Sequence, residues 1–172
     1  MTVGAVVLAA GAGARLGGRP KALLELGGVP LILRQLVALS GAGVDEVVVV
    51  TGHHAEAIEA AVRPFPITLA HNATPDDGQP SSVRIGLQAL SPKLDAVMVA
   101  LADQPLINEQ DITALIGAFK KRGDASMAGC RFSRASRVLT PLSNSSASKS
   151  PVEWRCSTSC SAAVSIAARR RC

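Results

Sequence analysis

The stretch from Val6 to Leu26, VVLAAGAGARLGGRPKALLEL, decides how this chain is read. It begins as an apolar run and then breaks into four glycines within the eight residues Gly11–Gly18, with Arg15, Arg19 and Lys21 in or just after them. A core strand needs none of this, and a flexible linker does not follow a run of strand-formers so closely. Glycines allow positive φ angles and close backbone approach, so that several N–H groups can converge on phosphate oxygens. Arg15 adds a rigid fork of donors suited to bidentate phosphate contact, and Lys21 a movable point charge. Such a cradle with two cations suits a triphosphate. It is not a Walker loop, because no Gly-Lys-Ser/Thr follows, and Leu16 stands where a dinucleotide fingerprint requires its third glycine.

Outward from this loop the chain alternates strand and helix signals. Val3–Ala9 is short, continuous and apolar, as expected of a buried parallel strand. Further strands are expected at Glu46–Thr51, Ile67–Ala70 and Asp95–Leu101, with another starting at Ala125–Ala128. Helices are expected at Pro30–Leu39, His54–Val62, Pro80–Leu90 and Asn108–Lys121. Pro30 suits a first helical turn. Ser81 and Ser82 can accept from the free N–H groups of the third helix, and Asn108 is the candidate cap of the fourth. Lys120, Lys121 and Arg122 favour that helix's C-terminal end. The alternation predicts an α/β fold: three layers, α/β/α, with a mainly parallel, Rossmann-like sheet.

A chain of 172 residues is long enough for one domain with a substantial core. Aromatic residues make up only 2% and Tyr is absent, which argues against single-stranded nucleic-acid binding on stacked rings. The net charge of +5 is unevenly placed. Residues 1–129 carry ten Lys/Arg and twelve Asp/Glu, whereas residues 130–172 carry eight Lys/Arg and one acid, Glu153. The basicity therefore belongs to the tail, and no nucleic-acid partner is expected. No apolar stretch reaches membrane-spanning length. The Met1–Ala14 segment lacks a basic leader region, so the expected location is cytoplasmic, with no membrane partner.

Two regions emerge, 1–129 and 130–172. The second holds eleven serines, against five in the first, together with all four cysteines: Cys130, Cys156, Cys160 and Cys172. Its Ser/Arg/Cys bias resembles an out-of-frame reading of GC-rich coding sequence. A disordered extension, a metal-binding segment and a basic nucleic-acid-binding arm are the other readings. Cys156-x₃-Cys160 has tolerable zinc spacing, but no second Cys/His pair completes a site.

The full pattern Leu8-Ala9-Ala10-Gly11-x-Gly13-x-Arg15-x-Gly17-x-x-Pro20-Lys21 resembles the signature of nucleotidyltransferases with the glycosyltransferase-A-like fold. Within them the chain is most similar to the MobA-like NTP transferases, the molybdenum cofactor cytidylyltransferase and guanylyltransferase group. DDGQPSSVRIGLQAL (Asp76–Leu90) is similar to that family's G-x-x-x-S segment. VMVALADQPLI (Val97–Ile107) is similar to its strand followed by G-D-x-P, with Ala102 in place of the glycine. The likeness covers roughly residues 3–128.

The resemblance implies that Leu8, Ala9, Ala10 and Gly11 line the base, with Gly11, Gly13 and Arg15 around the β- and γ-phosphates. Lys21 is placed at the α-phosphate, Gly78, Ser81 and Ser82 near the nucleoside, and Asp103 as the Mg²⁺ ligand. Arg15, Lys21 and Asp103 are thus the expected catalytic residues. The substrate is an NTP, CTP favoured over GTP, and the acceptor a phosphorylated small molecule such as molybdopterin. A molybdoenzyme or its chaperone is an implied partner. Chemistry points the same way, since attack at an α-phosphorus that expels pyrophosphate calls for cations at both centres.

Other polar residues carry less. His53 and His54 are expected to be surface-loop histidines, Asp76 and Asp77 turn residues, and Arg84 an exposed helix charge. Asn72 is a candidate for positioning the loop near the base. Family members usually continue past residue 128 with G-N-P or G-H-P and then G-D-x-G, which supply a second carboxylate; neither pattern follows Met127 here. The expectation is a chain that binds NTP–Mg²⁺ and transfers slowly or not at all. A sugar-1-phosphate nucleotidylyltransferase, a nucleotide-binding protein without catalysis and an oxidoreductase are the alternatives.

Overall fold

The computed structural model describes residues 1–13 and 17–122, and the backbone of the segments 139–141, 154–156 and 165–168. Ala125–Ala128 and Arg15 lie outside these residues.

Four strands form the parallel body of the sheet: β1 (Val3–Leu8), β4 (Glu46–Thr51), β5 (Thr68–His71) and β6 (Ala96–Leu101). Their order is β5-β4-β1-β6, and β9 (Ser165–Ala168) lies antiparallel beside β6. The expected parallel α/β architecture is therefore present. Its reason can be read along β1, where all six residues are buried. Side chains alternate across a strand. Val3, Ala5 and Val7 pack with Ile32, Leu36 and Leu39 of α1 (Leu31–Gly41), Ile58 and Val62 of α2 (Ala55–Val62), and Ile112 and Ile116 of α4 (Glu109–Arg122). Val6 and Leu8 pack on the other face with Val48, Val50, Leu90 and Leu94, beneath α3 (Gln79–Ala89). Helices on both faces explain why the strands read as unbroken apolar runs instead of alternating ones.

Close approach of α3 depends on glycine. A Cβ on Gly86 would collide with Val6 of β1 and press on Val50 of β4. The helix can lie this near the sheet only because that carbon is missing.

Most element ends fall within one residue of expectation. Pro30 is the residue before α1, not within its first turn. Asn108 caps α4 as expected: its Oδ1 accepts from Asp111 N at 3.0 Å, and its own N–H donates to Asp111 Oδ2 at 3.3 Å. That reciprocal pair satisfies two orphan donors at the helix start. The expected cap on α3 differs. Gly78 precedes the helix with φ +91°, and neither serine caps it.

One hairpin went unforeseen. β2 (Glu25–Leu26) and β3 (Val29–Pro30) pair antiparallel around Gly27 and Gly28, whose φ angles are 64° and 77°. A Gly-Gly pair with two positive φ angles gives the turn whose twist suits a two-residue hairpin. Farther along, β7 (Leu139–Pro141) pairs antiparallel with β8 (Trp154–Cys156). These two strands and β9 fall in the Ser/Arg/Cys-rich region.

Candidate functional site

Strand order places the site. The chain leaves β1 sideways to β4 and β5, then returns through α3 to β6 on β1's other edge. Loops following β1 and β6 consequently part at this switch point, which in open parallel sheets leaves a crevice at the carboxyl ends. The register aligns Leu8 with Leu101, and Ala102 N donates to Leu8 O at 3.0 Å, so the two loops depart side by side. Between them opens a cleft of about 400 Å³.

One wall is the glycine-rich loop. Leu8, Ala9 and Ala10 line the cleft at the end of β1, followed by Gly11 and Gly13. Ala9 N is still tied to Val50 O of β4 at 2.9 Å. Beyond it, the N–H groups of Ala10, Gly11, Ala12 and Gly13 have no acceptor among the described residues. Donors without an acceptor among the described residues, beside a cleft, are suited to an anion, because backbone N–H groups require an acceptor when water is displaced. The loop's shape is fixed locally. Gly13 has φ +65°, a Cβ on it would overlap the Arg19 carbonyl, and its own carbonyl accepts from Gly18 N at 3.3 Å. Gly11 differs, since a Cβ there would meet nothing within 4 Å.

Across the cleft stand Lys21, at the start of a short 3₁₀ turn (Lys21–Leu23), and Asp103, two residues past the end of β6. Lys21 Nζ is 4.0 Å from Asp103 Oδ2, with side-chain exposures of 40% and 36%. The described residues contain no cluster of three or more His, Cys, Asp or Glu. That donor set does not suit a closed protein cage. It does fit a divalent cation that arrives on a polyphosphate, keeps phosphate and water oxygens, and takes one carboxylate from the protein.

The third side is the start of α3. Gly78 and Ser82 line the cleft, together with Gln79, which sequence reasoning did not single out; Ser81 does not line it. The two hydroxyls are held from behind by Asn72, which is 1% exposed. Its Nδ2 donates to Ser81 Oγ and Ser82 Oγ, both at 2.9 Å, while its Oδ1 accepts from Thr74 N at 3.0 Å. Ser81 passes its own hydrogen to Gly78 O at 2.8 Å. The serines expected to accept from the helix N–H groups accept from Asn72 instead, because a donor amide is buried against them. Asn72 thus links the end of β5 to the first turn of α3.

His53 is exposed, as expected, whereas His54 is half-buried. His54 Nε2 lies 3.2 Å from the Ala12 carbonyl, tying the start of α2 to the glycine-rich loop. His53 Nε2 lies 3.0 Å from Asp76 Oδ1, joining that segment to the Pro75–Asp77 turn. Asp76 and Asp77 are turn residues, and Arg84 is exposed, as expected.

A parallel sheet whose switch point brings a glycine-rich loop, a lysine and a carboxylate to one cleft is the architecture of nucleotide-handling α/β domains of the nucleotidyltransferase kind. The chain belongs to the MobA-like NTP transferase domain family, which matches residues 5–165. That range runs beyond residue 128, where the likeness read from the sequence stopped. Among curated relatives, it is 35% identical over 130 residues to the bifunctional protein GlmU of Sorangium cellulosum, covering 72% of this chain and 28% of that one. It is 37% identical over 113 residues to the nicotine blue oxidoreductase of Paenarthrobacter nicotinovorans (64% and 54%). It is 34% identical over 128 residues to the 2-C-methyl-D-erythritol 4-phosphate cytidylyltransferase of Streptomyces coelicolor (70% and 47%). The chain thus spans between about a quarter and about half of the length of these relatives. A solved structure of a nucleotidyl transferase from Methanothermobacter thermautotroptrophicus superposes with a TM-score of 0.59 at 34% identity, over 67% of this chain and 57% of that one. Among the described residues, no helix is long and apolar enough to cross a membrane.

Proposed function

We propose that this chain transfers a nucleoside monophosphate from an NTP to a phosphorylated small-molecule acceptor and releases pyrophosphate. The observation that carries the reading is the run of N–H groups from Ala10 to Gly13 with no acceptor among the described residues, in a loop that lines one cleft together with Lys21 and Asp103. In the reaction, an oxygen of the acceptor phosphate forms a bond to the α-phosphorus. The bond from that phosphorus to the α–β bridging oxygen breaks, and pyrophosphate leaves with the electron pair.

The residues divide the work by position. The backbone from Leu8 to Gly11 borders the base, and the N–H groups of Gly11 and Gly13 hold the β- and γ-phosphates. Arg15 joins them there on the strength of the sequence pattern. Lys21 neutralises charge building on the α-phosphoryl oxygens, a preorganised contribution. Gly78 and Ser82 contact the nucleoside, and Ser81 supports them. Asp103 holds Mg²⁺, which supplies Lewis-acid charge when bound with the triphosphate.

CTP is the preferred nucleotide and molybdopterin the leading acceptor. Support for CTP comes from the Ser81-Ser82-Val83 segment and from the likeness to a cytidylyltransferase that acts, by its name, on a phosphorylated sugar alcohol. Thermal-shift titration with CTP, GTP, UTP, dTTP and NADPH, with and without Mg²⁺, tests the nucleotide; a pyrophosphate-release assay tests the transfer. A ligand that prefers the native state raises its apparent stability. The expected result is a magnesium-dependent shift with CTP and pyrophosphate release on adding acceptor. A shift with NADPH alone overturns the reading in favour of an oxidoreductase. A second reading, nucleotide binding without transfer, draws on Asp103 being part of no acidic cluster among the described residues. It is supported by a CTP shift with no pyrophosphate.

A further inference from the structure

Gln35 is the one side chain in the core of α1 that its hydrophobic pattern does not explain. Leu31, Ile32, Leu36, Ala38 and Leu39 are all buried there, and Gln35 sits among them at 1% exposure. A primary amide at such a position gives up its water contacts, which is costly unless hydrogen bonds replace them. A methionine or leucine of similar size would fill the space without that cost. What the glutamine makes is one bond: Nε2 donates to Gln104 O at 3.2 Å, across 69 residues of sequence. A carbonyl can only accept, so the amide nitrogen, not Oε1, faces it.

That carbonyl lies one residue past Asp103. It belongs to the peptide between Gln104 and Pro105, which has no N–H of its own and whose proline ring fixes the next φ. On the other side of Asp103, Ala102 N is bonded to Leu8 O at 3.0 Å. The aspartate is therefore held between two tethers, one to the strand that launches the glycine-rich loop and one to the core of α1. Neither tether touches the carboxylate. Together they fix where its Cα stands relative to Lys21 and the cradle.

We infer that Gln35 is a positioning residue for the cation-binding carboxylate of Asp103, retained at a core site for the aim it gives that loop and not for stability. The inference rests on the proposed NTP–metal chemistry and deepens it. Partners of ligands, as distinct from the ligands themselves, typically cost about 10–100-fold in metal affinity when removed. Gln35→Met keeps the length and bulk of the side chain and deletes the donor; Gln35→Leu serves if the methionine variant fails to fold.

Two constants are measured on the full chain: the metal-free dissociation constant for a non-hydrolysable CTP analogue, and the Mn²⁺ midpoint in its presence, followed by the electron paramagnetic resonance of free Mn²⁺. Expected is a Mn²⁺ midpoint raised about tenfold or more, a metal-free nucleotide constant within twofold of wild type, and an unfolding midpoint equal or higher. An unchanged Mn²⁺ midpoint overturns the inference, whatever happens to stability. So does a parallel loss in both constants, which is the mark of a general structural role. Wild-type protein that binds no Mn²⁺ with the analogue brings down the nucleotidyltransferase reading itself, and this inference with it.

Discussion

Lys21 Nζ and Asp103 Oδ2 stand 4.0 Å apart at the mouth of the cleft, each side chain more than a third exposed. Exposed pairs of this kind contribute about 0–1 kcal/mol to stability. Lys21 opens a short 3₁₀ turn and Asp103 follows the end of β6 by two residues. Under the proposed function the pair is two charges kept ready for a ligand that separates them. Lys21→Met is expected to leave the unfolding free energy within about 1 kcal/mol of wild type, while pyrophosphate release falls about 10²–10³-fold. Asp103→Asn is expected to keep metal-free nucleotide binding and lose the magnesium-dependent thermal shift. Equal loss of stability and activity in Lys21→Met would show that the pair is structural.

Two glycines in the cradle should fail in different ways. At Gly13 the positive φ and the Arg19 carbonyl both oppose a side chain. Gly13→Ala is expected to cost about 1–3 kcal/mol in a urea titration and to weaken nucleotide binding as the loop distorts. At Gly11 a Cβ meets nothing. Gly11→Ala is expected to unfold at the wild-type midpoint yet bind CTP at least about tenfold more weakly, because its methyl occupies the space through which phosphate reaches the N–H groups. Isothermal titration beside urea melts separates the two. Undiminished CTP affinity in Gly11→Ala would remove the phosphate from this loop.

The sequence made the sheet legible where burial on both faces left unbroken apolar runs, as at Val3–Leu8 and Glu46–Thr51. The turn after β1 was legible too, because its glycine spacing records in residue identity a backbone requirement such as the positive φ of Gly13. The hairpin at Gly27-Gly28 carries its own turn signal in the sequence, two adjacent glycines between short extended segments. Gln35 and His54 were hidden for a different reason. Each acts through a hydrogen bond to a backbone carbonyl, 69 and 42 residues away respectively, and a carbonyl leaves no mark on the residue that owns it. The Asn72 link to Ser81 and Ser82 was half visible: the serines stood out, but their role depended on a donor brought in from β5.

His54 gives that argument a test. Its Nε2 faces the Ala12 carbonyl, which can only accept, so the hydrogen must sit on Nε2. The bond pins the middle of the Ala10–Gly13 segment, whose N–H groups have no acceptor among the described residues. A net hydrogen bond is worth about 1 kcal/mol, so His54→Ala is expected to weaken CTP binding about fivefold. Nitrogen-15 spectra of the ring should report the Nε2–H tautomer in wild type. The opposite tautomer, or unchanged CTP affinity in the alanine variant, would show that the contact does not hold the loop.

Ser81 and Ser82 share a donor, Asn72 Nδ2, yet only Ser82 lines the cleft. Ser81 spends its own hydrogen on Gly78 O. The Ser82 hydrogen has no acceptor among the described residues, so it remains available to a nucleoside. Ser81→Ala is expected to cost about 1 kcal/mol of stability and to leave CTP affinity near wild type. Ser82→Ala loses only the bond from Asn72, so it should cost less stability than Ser81→Ala and weaken CTP binding several-fold. Asn72→Ala removes the donor from both and frees Thr74 N, so its loss should reach about 2–3 kcal/mol and affect binding as well. Urea melts and CTP titrations on the three variants settle the ordering. If Ser81→Ala and Ser82→Ala lose stability and affinity alike, the two hydroxyls act as one structural unit, and the nucleoside contact assigned to Ser82 is wrong.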